Sequence, residues 1–383
     1  MRRPLVQVIA VALVFAATAD CRAAQRRRAG RHDGGKEPEA PSTATPAAPA
    51  ANAAGARIKT LRPGGGRLDW NGDKIAYDMV GPDGKFDVHV MRGDASNDRC
   101  LTCDHPDLPR TNIGQPAWDP TGRYLVLQVE KAKHRPVRMK QVLTPGAGVL
   151  NDLWILDTQT NRATMIREVP DEPGRGTLHP HFSHDGRMLT WSEMHAPGSL
   201  RKGQEVGYWY LMVADVNWAG GRPTLSNVHN VTPAGPGFYE VHGFSPDDSK
   251  LLFSSNFEAK HRLENDIYVL DLRTKRLTRL TSGGWNEHAQ YSPDGRSIAW
   301  MSNADDARGG ADYWIMNADG SNKRRLTFFN QKGSPEYRGG KTMVADFAWR
   351  PDGRAIAGYT GGKVFTTSTK EPSQIVLIEL PPS

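Results

Sequence analysis

One short phrase recurs along this chain and limits what it can fold into. Its clearest copy is Y-S-P-D-G-R at 291–296, set between two short apolar runs. Pro293 presets φ near −65° at the first corner of a turn, and Gly295 can take the positive φ that closes a tight hairpin. The phrase returns as W-D-P-T-G-R at 118–123, F-S-H-D-G-R at 182–187, F-S-P-D-D-S at 244–249 and W-R-P-D-G-R at 349–354, with a worn copy, W-N-G-D-K, at 70–74. Self-similarity of this kind decides the fold before any single residue does.

An apolar strand is expected after each copy, at 74–79, 124–129, 188–193, 251–255, 298–302 and 355–359. A third follows, often ending in Asp or Asn, at 86–91, 153–157, 209–215, 267–271 and 313–317. A fourth follows a polar turn at 99–102, 162–167, 228–232, 276–281 and 324–328. Four short antiparallel strands, six times over, make an all-β, six-bladed propeller. The last unit is one strand short after its third strand at 374–380. The run R-I-K-T-L at 57–61 reads like R-L-T-R-L at 276–280, so this N-terminal strand is expected to pair beside 374–380 and close the ring. Closure removes an otherwise open sheet edge.

The beginning of the chain has a different character. Arg2 and Arg3 precede an apolar run from Leu5 to Ala17, and Ala17-Thr18-Ala19 is a small-residue cleavage pattern, so residues 1–19 read as an export signal. Cys21 offers a site for lipid anchoring, although Asp20 stands where such signals want a small neutral residue. Residues 20–56, with Arg26 to Arg28 and an Ala/Pro-rich run, cannot bury enough apolar area to order themselves and read as a tether. The propeller is then 57–383, in a periplasmic or secreted monomer with no membrane span once the signal is removed. Of the net charge of +7, the leader and tether hold eight Lys/Arg against four Asp/Glu, which leaves no nucleic-acid footprint on the rest.

Cys100 and Cys103 form C-L-T-C, followed by Asp104 and His105. In an oxidising compartment a local disulfide is open to them, as is a pair of half-buried thiols. A haem attachment would need His directly after the second Cys, and a zinc site would want a second Cys pair.

Aligning the first strand of each unit on its last aromatic residue orders the histidines. His179 and His181 precede Phe182, His288 and Gln290 precede Tyr291, and Gln115 and Asp346 fall at the position of His179. Residues two apart share a strand face. If these strands line a central channel, His179, His181, His288 and Gln290 converge on its axis as ligands for a divalent transition metal such as zinc, manganese, nickel or iron. His242, with Glu240, sits one step out of phase and becomes the candidate acid/base pair. A basic insertion, K-A-K-H-R-P-V-R-M-K at 131–140, could meet an anionic ligand at a channel mouth through Lys131, Lys133, Arg135 and Arg138.

The S-P-D-G turn, with D-I-Y-V-L-D and R-L-T after it, resembles the repeats of the periplasmic TolB family over 57–383. That resemblance implies the propeller fold and a binding or scaffolding role toward an envelope protein. TolB carries an α/β domain where this chain has the tether. Prolyl-oligopeptidase-like enzymes attach such propellers to a hydrolase domain with a G-x-S-x-G elbow, a motif this sequence lacks. H-P-H at 179–181 and E-H-A-Q at 287–290 are similar to parts of oligogalacturonate lyase, whose propeller holds a metal on histidines and a glutamine. This second resemblance implies metal-dependent cleavage of an anionic carbohydrate.

Overall fold

In a computed structural model, residues 49–137, 140–198, 204, 206–260, 264–304, 310–337, 341–361 and 373–381 are described. The strands form six antiparallel sheets of four strands each, taken in chain order from the inside outward. Blade 1 is Leu68–Asn71, Lys74–Val80, Phe86–Arg92 and Arg99–Cys100; blade 2 is Ile113–Trp118, Tyr124–Glu130, Asn151–Asp157 and Arg162–Arg167. Blade 3 is Gly176–Phe182, Met188–Ala196, Tyr208–Asn217 and Thr224–Asn230; blade 4 is Tyr239–Phe244, Lys250–Ser255, Asp266–Asp271 and Leu277–Arg279. Blade 5 is Asn286–Tyr291, Ser297–Ser302, Asp312–Asn317 and Arg324–Arg325. Blade 6 takes Met343–Trp349, Ala355–Gly361 and Gln374–Glu379, and its outermost strand is Arg57–Pro63 from the other end of the chain. Arg57 stands opposite Glu379 and Lys59 opposite Leu377, so the ring is closed by the N-terminal strand, as expected. The innermost strand of each blade packs on that of the next, and the sixth returns to the first.

The core is divided as the blades are. Six apolar clusters lie one between each pair of neighbours. Between blades 3 and 4, Trp209, Leu211 and Val213 meet Tyr239, Phe253 and Tyr268. Between blades 2 and 3, Val126 and Ile155 meet Leu189 and Trp191. Alternation along each strand sends successive side chains to the two interfaces that flank a blade, which explains strands apolar on both faces. Truncating one such Leu or Ile to Ala costs about 2–5 kcal/mol.

The recurrent turn shows why its residues repeat. In blade 5, Ser292 Oγ donates to Asp294 Oδ1 at 2.6 Å, and Gly295 stands at φ +71° with its N–H on Ser292 O. The turns also interlock around the ring. A Cβ on Gly186 would come within 3.3 Å of Pro120, and one on Gly295 within 3.3 Å of Pro246. Blade 4 has Asp248 in place of the glycine, at φ +58°. Its carboxylate accepts the N–H groups of His184 and Asp185 from the blade 3 turn, at 2.8 and 3.0 Å. Asp is one of the few residues that tolerate this region, and here the side chain gains two hydrogen bonds by it.

Two sequence expectations change. Residues 52–56, read from composition as tether, pack on the propeller: Asn52 donates to Leu326 O at 3.1 Å and to Glu336 Oε1 at 2.7 Å, and Ala56 is buried among blade 5 and 6 residues. Polar anchoring, invisible in composition, orders this end. Several outermost strands are also shorter than expected, as with Arg324–Arg325 against 324–328. The export signal, Cys21 and the tether up to residue 48 lie outside the described residues.

Candidate functional site

A backbone kink builds the centre of the ring. The innermost strands of blades 2, 3 and 5 shift register at Gly114/Ala117, Leu178/His181 and Glu287/Gln290. In each the same residue is left-handed: Gln115 at φ +50°, His179 at +48° and His288 at +49°. Non-glycine residues take this region at some cost, and such positions collect at functional sites. A β-bulge re-aims the side chain it carries. Blade 4 shifts between Val241 and Phe244, and its positive φ falls on Gly243 at +105°. The bulge, so displaced, brings His242 into the same cluster as His179 and His288.

The ring centroids of His179 lie 5.4 Å from His288 and 5.8 Å from His242, and those of His242 and His288 are 5.9 Å apart. Carboxylates bracket them. His179 Nε2 is 3.0 Å from Glu240 Oε1, while Asp346 Oδ1 stands 3.7 Å from His179 Nδ1 and 3.6 Å from His288 Nδ1. Gln115 Nε2 donates to the same Asp346 oxygen at 2.9 Å. His242 Nε2 is 3.0 Å from Ser254 Oγ, and Asn265 Nδ2 donates to Glu287 Oε1 at 2.7 Å. Arg67 pairs with Asp78 through two hydrogen bonds at 2.6 and 3.0 Å, and Asp78 also accepts the Gln115 N–H at 2.9 Å.

Burial sets one side of the electrostatics and neighbouring charges the other. The Glu240 carboxyl is held down at about 2: burial is the largest single influence and works against its charge, but His179, His288 and His242 together outweigh it. Asp346 lies well below the usual carboxylate range despite burial, because of His288 and His179. His288 is pushed up to about 10, again against burial, by Asp346, Glu240 and Glu287. Burial and the charge of Glu240 push Glu287 up to about 8. Burial, then His179, lowers His181 to about 3, and burial holds His242 well below its ordinary value. At neutral pH, two carboxylates and a charged imidazole therefore sit beside neutral imidazoles and a protonated Glu287.

These donors fit a metal. One nitrogen each from His179, His242 and His288 lie within 4.8 Å of one another, as do donor atoms of Glu240, Glu287 and His288. His288 Nδ1 and Glu287 Oε2 are buried and make no hydrogen bond among the described residues. Three imidazoles with a carboxylate suit a borderline divalent ion, whose entry would displace the proton of His288.

A funnel leads to the cluster from the turn side. A cavity of about 480 Å³ opens among the S-P-D-G turns, lined by Asp69, Trp118, His181, His184, His242 and Gln290 among others. Below it, His179, His181, His242, His288 and Asp346 line a much smaller space of about 10 Å³. Asp69, deep in the funnel, accepts the N–H groups of Trp70 and Trp118 at 2.8 and 2.7 Å, and burial raises its carboxyl above the usual range.

Of the residues singled out on sequence, His179 and His288 meet. His181 is set back, 6.5 Å from His179 between ring centroids, on the funnel floor. Gln290 spends its Nε2 on Phe347 O at 2.6 Å. His242 and Glu240, one step out of phase in the sequence, stand within the cluster. Period-two alternation fails here because the kink intervenes. Glu287 was missed, although it occupies the place of Glu240 when the strands are aligned. Lys131 is paired with Asp152 at 3.0 Å and Glu168 at 3.4 Å, and Arg135 with Asp171 at 3.5 Å. Lys133 is exposed, and Arg138 lies outside the described residues. Two of the insertion's cations are thus already answered by acids. Cys100 and Cys103 are joined by a disulfide.

Comparison with known proteins follows the architecture. The family described as "TolB beta propeller domain" matches residues 151–363. The uncharacterized protein Atu1656 of Agrobacterium fabrum is 36% identical over 87 residues, which is 22% of this chain and 27% of that protein. The crystal structure of TolB from Acinetobacter baumannii superposes with a TM-score of 0.52 at 16% identity, covering 80% of this chain and 64% of that one. An oligogalacturonate lyase in complex with manganese superposes with a TM-score of 0.51 at 15% identity, covering 86% and 94%. At such identities these structures share the fold and no more.

Proposed function

This chain belongs to the TolB beta propeller domain family, and on that footing we propose that it is an exported binding module of the cell envelope, taking part of a partner protein into the turn-side funnel. The observation that carries this reading is the 480 Å³ cavity, wide enough for a few residues of a peptide. Its floor offers Asp69, His181 and Gln290 as polar partners. Its wall adds aromatic surface, Tyr291 among it. A concave site with convergent polar groups and some aromatic surface is the usual form of a ligand site. Its place is the periplasm or the cell surface, with Cys21 open to acylation. The test is a photo-crosslinking side chain at Pro351, exposed on the funnel rim, compared with one at Arg324 on the outer edge. A discrete envelope adduct from 351 alone supports the reading; equal or no adducts from both positions reject it.

One observation favours a second reading, a metal-dependent lyase or hydrolase acting on an anionic carbohydrate. It is the buried set of His179, His242, His288 and Glu240, at the bottom of that same funnel. The manganese complex of a structurally similar oligogalacturonate lyase points the same way. A bound divalent ion would supply Lewis-acid pull on a sugar carboxylate. Glu240 and His242 would then hold the ion, and His181, neutral and on the funnel floor, would accept the proton. Asp69 would face the sugar hydroxyls. Elemental analysis of the purified protein, and of His179→Ala and His288→Ala, decides this reading. Stoichiometric metal lost in both variants supports it, and metal-free wild type rejects it.

A further inference from the structure

A second group of possible ligands lies on the opposite side of blade 1, far from the axis. His89 pairs across the sheet with Cys100 at the outer edge of the blade. One donor atom from each of His89, Cys100 and Cys103 lies within 4.8 Å of the others. Cys100 Sγ also accepts the N–H of Cys103 at 3.0 Å, a contact that stabilises sulfur as a thiolate. Asp98 Oδ1 stands 3.5 Å from His89 Nδ1 and accepts the Tyr77 hydroxyl at 2.5 Å. A carboxylate on one ring nitrogen fixes the imidazole and leaves the other free for a ligand role. Sequence spacing alone could not reveal this set, because His89 sits on another strand.

We infer that blade 1 carries a redox-gated metal site: with the Cys100–Cys103 disulfide reduced, the two sulfurs and the His89 imidazole hold one zinc-like ion. Two thiolates and an imidazole are the donors such ions prefer, with water completing a tetrahedron. Disulfide and metal exclude each other, since the same sulfur electrons serve both.

The switch balances with a dithiol as reductant. A donor thiolate attacks the exposed Cys103 sulfur and the S–S bond breaks. Cys100 leaves as a thiolate, held by the Cys103 N–H. The donor's second thiol then attacks the mixed disulfide and releases Cys103. The donor ends as a disulfide, having passed two electrons and two protons to the protein. Entry of the ion displaces the two thiol protons. Attack at the exposed sulfur, with the better-stabilised sulfur leaving, is the favoured direction of exchange.

The test uses the exported chain, residues 20–383, carrying Cys21→Ser so that only this cysteine pair can contribute. The protein is treated with dithiothreitol, exchanged into anaerobic buffer and titrated with cobalt(II). Thiolate-to-cobalt charge-transfer absorption is expected at one equivalent in the reduced protein and not in the oxidised protein. Cys103→Ser, at an exposed position, should abolish it. His89→Gln, which keeps side-chain volume beside Tyr77, should weaken cobalt binding on the order of 10- to 100-fold. Tryptophan fluorescence checks that each protein is folded. Cobalt bound at the axial histidines shows no sulfur band and does not respond to reduction, so the two sites are read separately. Absence of the band in reduced protein, its survival in Cys103→Ser, or unchanged affinity in His89→Gln would overturn the inference.

Discussion

His179 of blade 3 and Glu240 of blade 4 meet across a blade boundary, Nε2 to Oε1 at 3.0 Å, both almost fully buried. Between buried groups a contact of this kind is worth little against an apolar pair, but breaking one half of it is costly. Glu240→Ala therefore leaves the imidazoles facing one another without their nearest anion. We expect a loss of about 3–5 kcal/mol in chemical denaturation. The His179→Ala, Glu240→Ala double variant should lose less than the sum of the two single variants. Additivity within error would show that the two residues do not act as a pair.

Glu287 gives a pH dependence with a definite sign. Burial and the neighbouring Glu240 raise its pKa from 4.5 to about 8, so between those values the folded protein holds a proton that the unfolded chain has released. Its contribution is complete below pH 4.5 and is lost as pH rises toward 8. Glu287→Gln copies the protonated form and can still accept the Asn265 donor. The variant should match wild type near pH 5 and exceed it near pH 8, by roughly 1–3 kcal/mol. Parallel stability–pH curves for the two proteins would refute this.

The N-terminal strand should behave as part of blade 6. Removing residues 1–63 strips the partner from Gln374–Glu379 and leaves that strand as an open edge. We expect a loss of at least ~3 kcal/mol, a broadened melting transition and a tendency to associate. A truncated protein that melts as the parent does would place ring closure elsewhere.

Gly148 tests how tightly the insertion after blade 2's second strand is seated. It has φ +67°, and a Cβ there would meet Thr177 O at 2.1 Å, so the backbones of blades 2 and 3 touch at this point. Gly148→Ala should cost about 2–4 kcal/mol and disturb the start of the strand that carries His179. Gly84, also at positive φ but with open space around it, is the control and should cost about 1 kcal/mol on replacement by Ala.

The propeller and its closing strand were legible because turn chemistry is local. Pro293, Gly295 and their counterparts act through their own φ angles, and the strand pairs R-I-K-T-L at 57–61 from its own residues. Alignment on the terminal aromatic also placed Gln115, His179, His288 and Asp346 in one layer correctly. The ligand set was not legible beyond that. Whether a side chain points to the axis depends on where each strand kinks, and blade 4 kinks at Gly243 while its neighbours kink at His179 and His288. Charge partners were equally hidden. Lys131 reads as a free cation until the fold brings Asp152 and Glu168 to it.

The kinked layer has a consequence for how such a site is acquired and altered. Arg67, Gln115, His179, Val241, His288 and Asp346 are the same ordinal position in six copies of one sheet, as counted back from each terminal aromatic. In blades 2, 3, 5 and 6 that position is a socket facing a shared centre, whereas Val241 packs in the core between blades 3 and 4 and His242 takes its place inside. One codon change in any of those four copies therefore delivers a new group to the middle of the ring, while the hairpins that hold the ring are left untouched.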